Sequence, residues 1–357
     1  MGDSCEPYWV AITPNGRFLY VGNYGDVKIS AYRINHNGSL TALACGSGCD
    51  ALVGGEEPAI TPDGKHLYLP ISASDELQAY AIHQNGKLTA IACGSCATGG
   101  YPWTATLTPS GRFLYTTDAE SDMVSAFRVH GNGSLSAVSC GGCTTGNFPY
   151  SLAVSPNGRH AYVANEASDT ISPYRIGSDG ALTSVSCPST SCDTRTHPVA
   201  VAMPPSGRFL YAANSGSETI SPFSAGNDGT LSPIACSLGC GGLDAPEYGQ
   251  AIVARPDQGP KAFFTHAKAG QRVRFNARGS KAAAGQRVAT YHWSFGDGHR
   301  LSTHKAKVSH RYKRAGKHKV TLTVTDNAGC STRLIFTGQT AYCNGSKAAR
   351  TSHAVSS

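Results

Sequence analysis

The sequence predicts an all-β chain: a β-propeller of five recognisable four-stranded blades plus a partial sixth, then a second β unit of different pattern. Three observations carry this. A block of about 48 residues recurs five times. Each block divides into four short runs of alternating apolar and polar residues, and no helical period lies between them.

The block is built on a Pro-x-Gly turn followed by an aromatic run. It reads Thr13-Pro14-Asn15-Gly16-Arg17-Phe18-Leu19-Tyr20 first and starts again at Thr61, Thr108, Ser155 and Pro204, ending each time in a tyrosine: Tyr68, Tyr115, Tyr162, Tyr211. In the fourth block the expected strands are 150–155, 159–165, 170–176 and 181–187. A hairpin signal, Asn37-Gly38, Asn85-Gly86, Asn132-Gly133, Asp179-Gly180 and Asp228-Gly229, marks the same place in every block, because these residues tolerate the positive φ of tight turns. One block is too small to hide its own apolar faces, so the blocks must stack.

Tyr20-Val21-Gly22-Asn23, Tyr162-Val163-Ala164-Asn165 and Tyr211-Ala212-Ala213-Asn214 resemble the YVTN-type propeller repeat shared with the propeller lactonases. The resemblance covers residues 1–255 and implies blades whose first strands line a central channel, with the binding surface at the loops there. After a linker at 256–260, the motifs Tyr291-His292-Trp293-Ser294-Phe295-Gly296-Asp297-Gly298, Ser309-His310-Arg311-Tyr312 and 320–329 resemble a PKD domain, which implies an Ig-like sandwich over 261–343. Ser294 stands where that family usually has Asp. Residues 344–357, rich in Ser, Ala, Lys and Arg, are expected to form a disordered tail.

Charge divides at the same boundary. Residues 1–255 carry 12 basic and 20 acidic side chains, residues 256–357 carry 18 and 3, so a net −8 body precedes a net +15 appendage. Arg311, Lys313, Arg314, Lys317 and Lys319 are the candidates for contact with an anionic polymer. Docking and plain solubility are the competing uses of the charge.

Twelve of the thirteen cysteines fall in neighbouring pairs: Cys45/Cys49, Cys93/Cys96, Cys140/Cys143, Cys187/Cys192 and Cys236/Cys240 at blade ends, and Cys330/Cys343 around the expected last strand of the second domain. Local disulfides and an extracellular or cell-surface location are the reading; zinc is the competing one, opposed by the distance between equivalent loops of successive blades. No apolar run is long enough to span a membrane. Cys5 stands where the second member of a pair belongs, and residues 249–256 align with a first strand that no outer strands follow, so the propeller is expected to be incomplete at its N-terminus.

Aligning the blocks places Tyr8, Glu56, Trp103, Tyr150 and Val199 in one ring of equivalent positions and Trp9, Glu57, Thr104, Ser151 and Ala200 in the next, with His197 and Glu247 just before them. Tyr8, Trp9, Glu56, Glu57, Trp103, Tyr150, His197 and Glu247 are therefore the candidate binding residues: aromatic rings beside carboxylates suit a sugar ring and its hydroxyls. Plugging the channel as core is the competing role. No cofactor fingerprint, metal set or catalytic triad is read, and the His-Glu-Arg set that the lactonase resemblance would imply does not recur. The residues favour a recognition or scaffold protein with a carbohydrate or protein ligand over the alternative, a secreted lactonase with an accessory PKD domain; oligomeric state is not legible.

Overall fold

The computed structural model describes residues 7–23, 28–43, 56–94, 96–140, 143–235, 259–282, 286–327, 329–338, 341–343 and 345–357. Cys5, Cys45, Cys49, Cys236, Cys240, Glu247 and the segment 249–256 lie outside them. Two compact units emerge, Met1–Ala254 with Phe336–Ala341, and Arg255–Ile335 with Tyr342–Ser357.

Among the described residues, the first unit holds five four-stranded antiparallel sheets, each running in chain order from its first to its fourth strand. The first strands, Pro7–Ile12, Ala59–Ile60, Pro102–Leu107, Pro149–Val154 and Pro198–Ala202, pack successively against one another and are the inner strands. The fourth blade shows how closely alternation specifies the strands: 149–154, 160–165, 170–176 and 182–184. The Pro-x-Gly turn closes by a backbone bond from the glycine to the residue three earlier, as from Gly111 N–H to the Thr108 carbonyl at 2.8 Å. The threonine hydroxyl of the same turn accepts the N–H of Phe113 at 3.2 Å.

The two halves of the repeat meet across blades. The tyrosine of each of the first three blocks donates its hydroxyl to the hairpin glycine of the next: Tyr20 to Gly86 at 3.0 Å, Tyr68 to Gly133 at 3.0 Å, Tyr115 to Gly180 at 2.9 Å. Beside it the ring two residues earlier, Phe18, His66 or Phe113, packs closely against that glycine. At Gly180, φ is 96° and a Cβ would sit 2.3 Å from the Phe113 ring, so glycine is demanded twice, by conformation and by close approach. Gly180→Ala is expected to destabilise the protein by about 2 kcal/mol, read from the urea midpoint; an unchanged midpoint would show that the ring yields freely.

The second unit is a sandwich. A three-stranded sheet contains Thr265–Ala269, Arg272–Asn276 and Lys307–Arg311; a four-stranded sheet contains Arg300–Thr303, Val288–Ser294, Lys317–Asp326 and Arg350–Ser356 in that order. Trp293, Phe264, Phe275, Phe295, Tyr312 and Val320 form its core.

The expected disordered tail is an error of the sequence reading. Residues 350–356 are the last strand, paired antiparallel with 317–323, after a short 3-10 turn over 347–349. Its polar composition misled because an edge strand with one solvent face needs few apolar residues; Val355 is fully buried while its neighbours are exposed. The Cys330–Cys343 disulfide accordingly brackets the short pair Ile335–Phe336 and Ala341–Cys343, not the last strand. Cys93–Cys96, Cys140–Cys143 and Cys187–Cys192 are also disulfides, each closed within its own pair. No helix among the described residues is long and apolar enough to cross a membrane.

Candidate functional site

A β-bulge sits at the start of the inner strand in four blades. The register slips between Pro7 and Trp9, between Pro102 and Thr104, between Pro149 and Ser151, and between Pro198 and Ala200. The extra residues are Tyr8, Trp103, Tyr150 and Val199. Proline lacks the N–H that a regular ladder needs there, and a bulge re-aims the side chain that it leaves unpaired.

This brings several predicted residues together. Trp103 packs on Tyr150 at 4.5 Å between ring centroids and on Tyr101 at 5.5 Å, the latter nearly parallel. Glu57, just before Ala59–Ile60, bridges to Thr104: its N–H donates to the Trp103 carbonyl at 3.2 Å, Ala105 N–H donates to its carbonyl at 3.0 Å, and Thr104 Oγ1 donates to its Oε2 at 3.4 Å. Glu56 is 3 % exposed. Its carboxylate accepts from the Tyr8 hydroxyl and, on Oε1, from Ser72 Oγ at 3.2 Å, while Oε2 has no partner among the described residues. Burial pushes the Glu56 carboxyl up to about 7 against the two hydrogen bonds, with the neighbouring Glu57 charge adding to the rise. Burial and the same two carboxylates hold the Tyr8 hydroxyl well above its ordinary range.

The other candidates separate. Trp9 does not join the site: it is 7 % exposed and lies over Gly22 of the next strand, where a Cβ would meet its ring at 2.1 Å. Tyr8 and Trp9 fall on opposite faces, as successive residues of a strand do, so one is exposed and the other core. His197 stands at the rim, its Nδ1 3.6 Å from Glu166 Oε1, its side chain 53 % exposed. Arg311, Lys313, Arg314, Lys317 and Lys319 are all exposed on the second unit.

Two residues were missed by sequence alignment, Tyr101 and Glu166. Tyr101, Phe148 and His197 occupy one repeated position, each with φ of 53–57°, and each N–H is held at 2.8 Å by an aspartate of the preceding blade: Asp75, Asp122 and Asp169. Non-glycine residues persist in this region only where the surroundings enforce it, and such positions gather at working surfaces. The recurrent aspartate 26 to 28 residues upstream is the signal that could have found Tyr101; Glu166 carries no such signal.

The profile of the family described as seven-bladed beta-propeller lactonases matches residues 8–92, 53–139 and 101–237, more than half of the chain. The chain belongs to this family. A PKD domain profile matches residues 255–339. Among solved structures, the chain is similar to the periplasmic gluconolactonase of Pseudomonas aeruginosa at 23 % identity, covering 64 % of this chain and 69 % of that one, TM-score 0.51. It is similar also to a candidate 6-phosphogluconolactonase of Bacteroides uniformis, 22 % identical over 64 % of this chain and 69 % of that one, TM-score 0.53. At these identities the likeness speaks to fold. A curated relative, the collagenase ColA of Clostridium perfringens, is 39 % identical over 59 residues, 16 % of this chain and only 5 % of the collagenase.

Proposed function

We propose that this propeller recognises a polyhydroxylated, sugar-derived ring at the ends of its inner strands, in an extracellular or surface-attached protein whose basic PKD domain serves docking. The observation that carries it is the aromatic group Tyr101, Trp103 and Tyr150 beside the carboxylates of Glu56 and Glu57. Aromatic faces pack on the C–H face of a sugar ring, and carboxylates accept from its hydroxyls. Tyr8, exposed at 44 %, closes the side next to Glu56. Titrating mono- and disaccharides and aldonic acids against tryptophan fluorescence tests this. Trp103→Ala is expected to weaken binding by roughly tenfold, about 1.4 kcal/mol; a panel without a binder, or one indifferent to Trp103, sinks the reading.

A second reading, lactone hydrolysis, is favoured by family membership and by the Glu56 carboxyl. A group at about 7 is half ionised near neutrality, where a general base works best. Glu56 would take a proton from the water that attacks the lactone carbonyl; the ring C–O bond breaks, and that proton passes to the departing alkoxide, leaving a hydroxy acid.

A further inference from the structure

The second unit holds a group of side chains that the functional reading above does not use. Asp297, His299 and His310 place one donor atom each within 4.8 Å of one another, among the described residues. Asp297 and His299 lie in the tight turn after Val288–Ser294, where Gly296 and Gly298 take φ of 83° and 92°. Asp297 braces this turn through Oδ1, which accepts the His299 N–H at 3.1 Å. His310 comes from the facing sheet, on Lys307–Arg311.

Both histidines already approach the Asp297 carboxylate, one at each of its oxygens. An ion with tetrahedral bonds of about 2.0–2.1 Å keeps its donors about 3.3 Å apart. Asp297 Oδ1 and His299 Nδ1 are already 3.3 Å apart. Asp297 Oδ2 and His310 Nε2, at 2.7 Å, are hydrogen-bonded and need to part only slightly. His310 is pre-set: its ring is stacked on Phe295 at 4.2 Å and held edge-on by Tyr312 at 4.6 Å. His299 is 60 % exposed and can swing to close the set.

We infer that Asp297, His299 and His310 form a binding site for a divalent transition-metal ion of the zinc class. Two imidazoles and one carboxylate suit Zn²⁺, Cu²⁺ or Ni²⁺ and fit poorly with Ca²⁺ or Mg²⁺, which take oxygen donors. The net +15 charge of residues 256–357 repels any cation at long range, so affinity must come from the donor atoms themselves. Added salt screens that repulsion and should strengthen binding or leave it unchanged.

Calorimetric titration of the full chain with ZnCl₂ tests the assignment, with CaCl₂ alongside. One Zn²⁺ site is expected, weakened at least about tenfold in His299→Ala, the loss that even outer partners of a metal cost, and weakened likewise in Asp297→Asn. His292→Ala, at an exposed imidazole bonded to Ser302 and Thr325, should change nothing. Absence of Zn²⁺ binding, binding indifferent to His299, binding lost with His292, or a preference for Ca²⁺ would each overturn the site.

Discussion

Glu56→Gln is expected to abolish lactone hydrolysis while leaving ring binding nearly intact. The amide keeps the shape and the acceptor that Ser72 and Tyr8 use, and loses only the basic lone pair. Removing a general base costs about 10² to 10⁴ in rate. In the unsubstituted protein the rate should climb with pH and level off above about 7, where burial has moved the Glu56 carboxyl. Hydrolysis that survives the substitution assigns the base elsewhere; hydrolysis absent from the unsubstituted protein removes the enzymatic reading and leaves recognition standing, to be judged by Trp103→Ala.

Asp118→Asn is expected to make the protein more stable at neutral pH. Asp118 is fully buried in the third blade and occupies the position held by Asn23, Asn165 and Asn214 in the first, fourth and fifth. Each asparagine donates Nδ2 to a serine of the next strand, at 2.9 Å from Asn165 to Ser172 and 3.0 Å from Asn214 to Ser221. In the third blade the direction is reversed: Ser125 Oγ and Gly99 N–H donate to Asp118 Oδ2, and Thr116 donates to Oδ1. Gly99 N–H also reaches Ser125 Oγ at 3.1 Å, so it keeps an acceptor when the carboxylate is replaced. Burial raises the Asp118 carboxyl from 3.8 to about 6, and its hydrogen bonds only partly oppose this.

The folded state therefore holds this proton more tightly than the unfolded chain does. Its contribution to stability is complete below about pH 4 and is lost as pH rises through about 6. Above that, ionised Asp118 costs up to about 3 kcal/mol relative to a neutral side chain. Thermal or urea unfolding of Asp118→Asn should show a gain approaching this at pH 7.5 and little difference near pH 4. A loss of stability at pH 7.5 would mean that the carboxylate bonds outweigh desolvation. Glu56 has the same sign, so stability should decline from pH 5 to 8 from two sources.

The blades, their hairpins and the disulfide pairs Cys93/Cys96, Cys140/Cys143 and Cys187/Cys192 were determined by the sequence alone, because each rests on contacts among near neighbours. Alternation specifies strands, Asn-Gly or Asp-Gly specifies a turn, and cysteines three to five residues apart need no distant partner. Repetition extended this to tertiary structure: the phase of the Pro-x-Gly turns aligned Tyr8, Glu56, Trp103 and Tyr150, since equivalent residues of stacked blades must be neighbours. What required the fold was orientation. Strict alternation puts Tyr8 and Trp9 on opposite faces but cannot say that Trp9 packs over Gly22 and leaves Tyr8 exposed. The environment of Glu56 is also set by distant residues, Tyr8 and Ser72, and no local pattern encodes that desolvation. The strand at 350–356 was hidden because its partner, 317–323, lies some thirty residues away and supplies the pairing that its own composition does not announce. Asp297, His299 and His310 likewise belong to two different sheets, so only their packing brings a carboxylate and two imidazoles to one point.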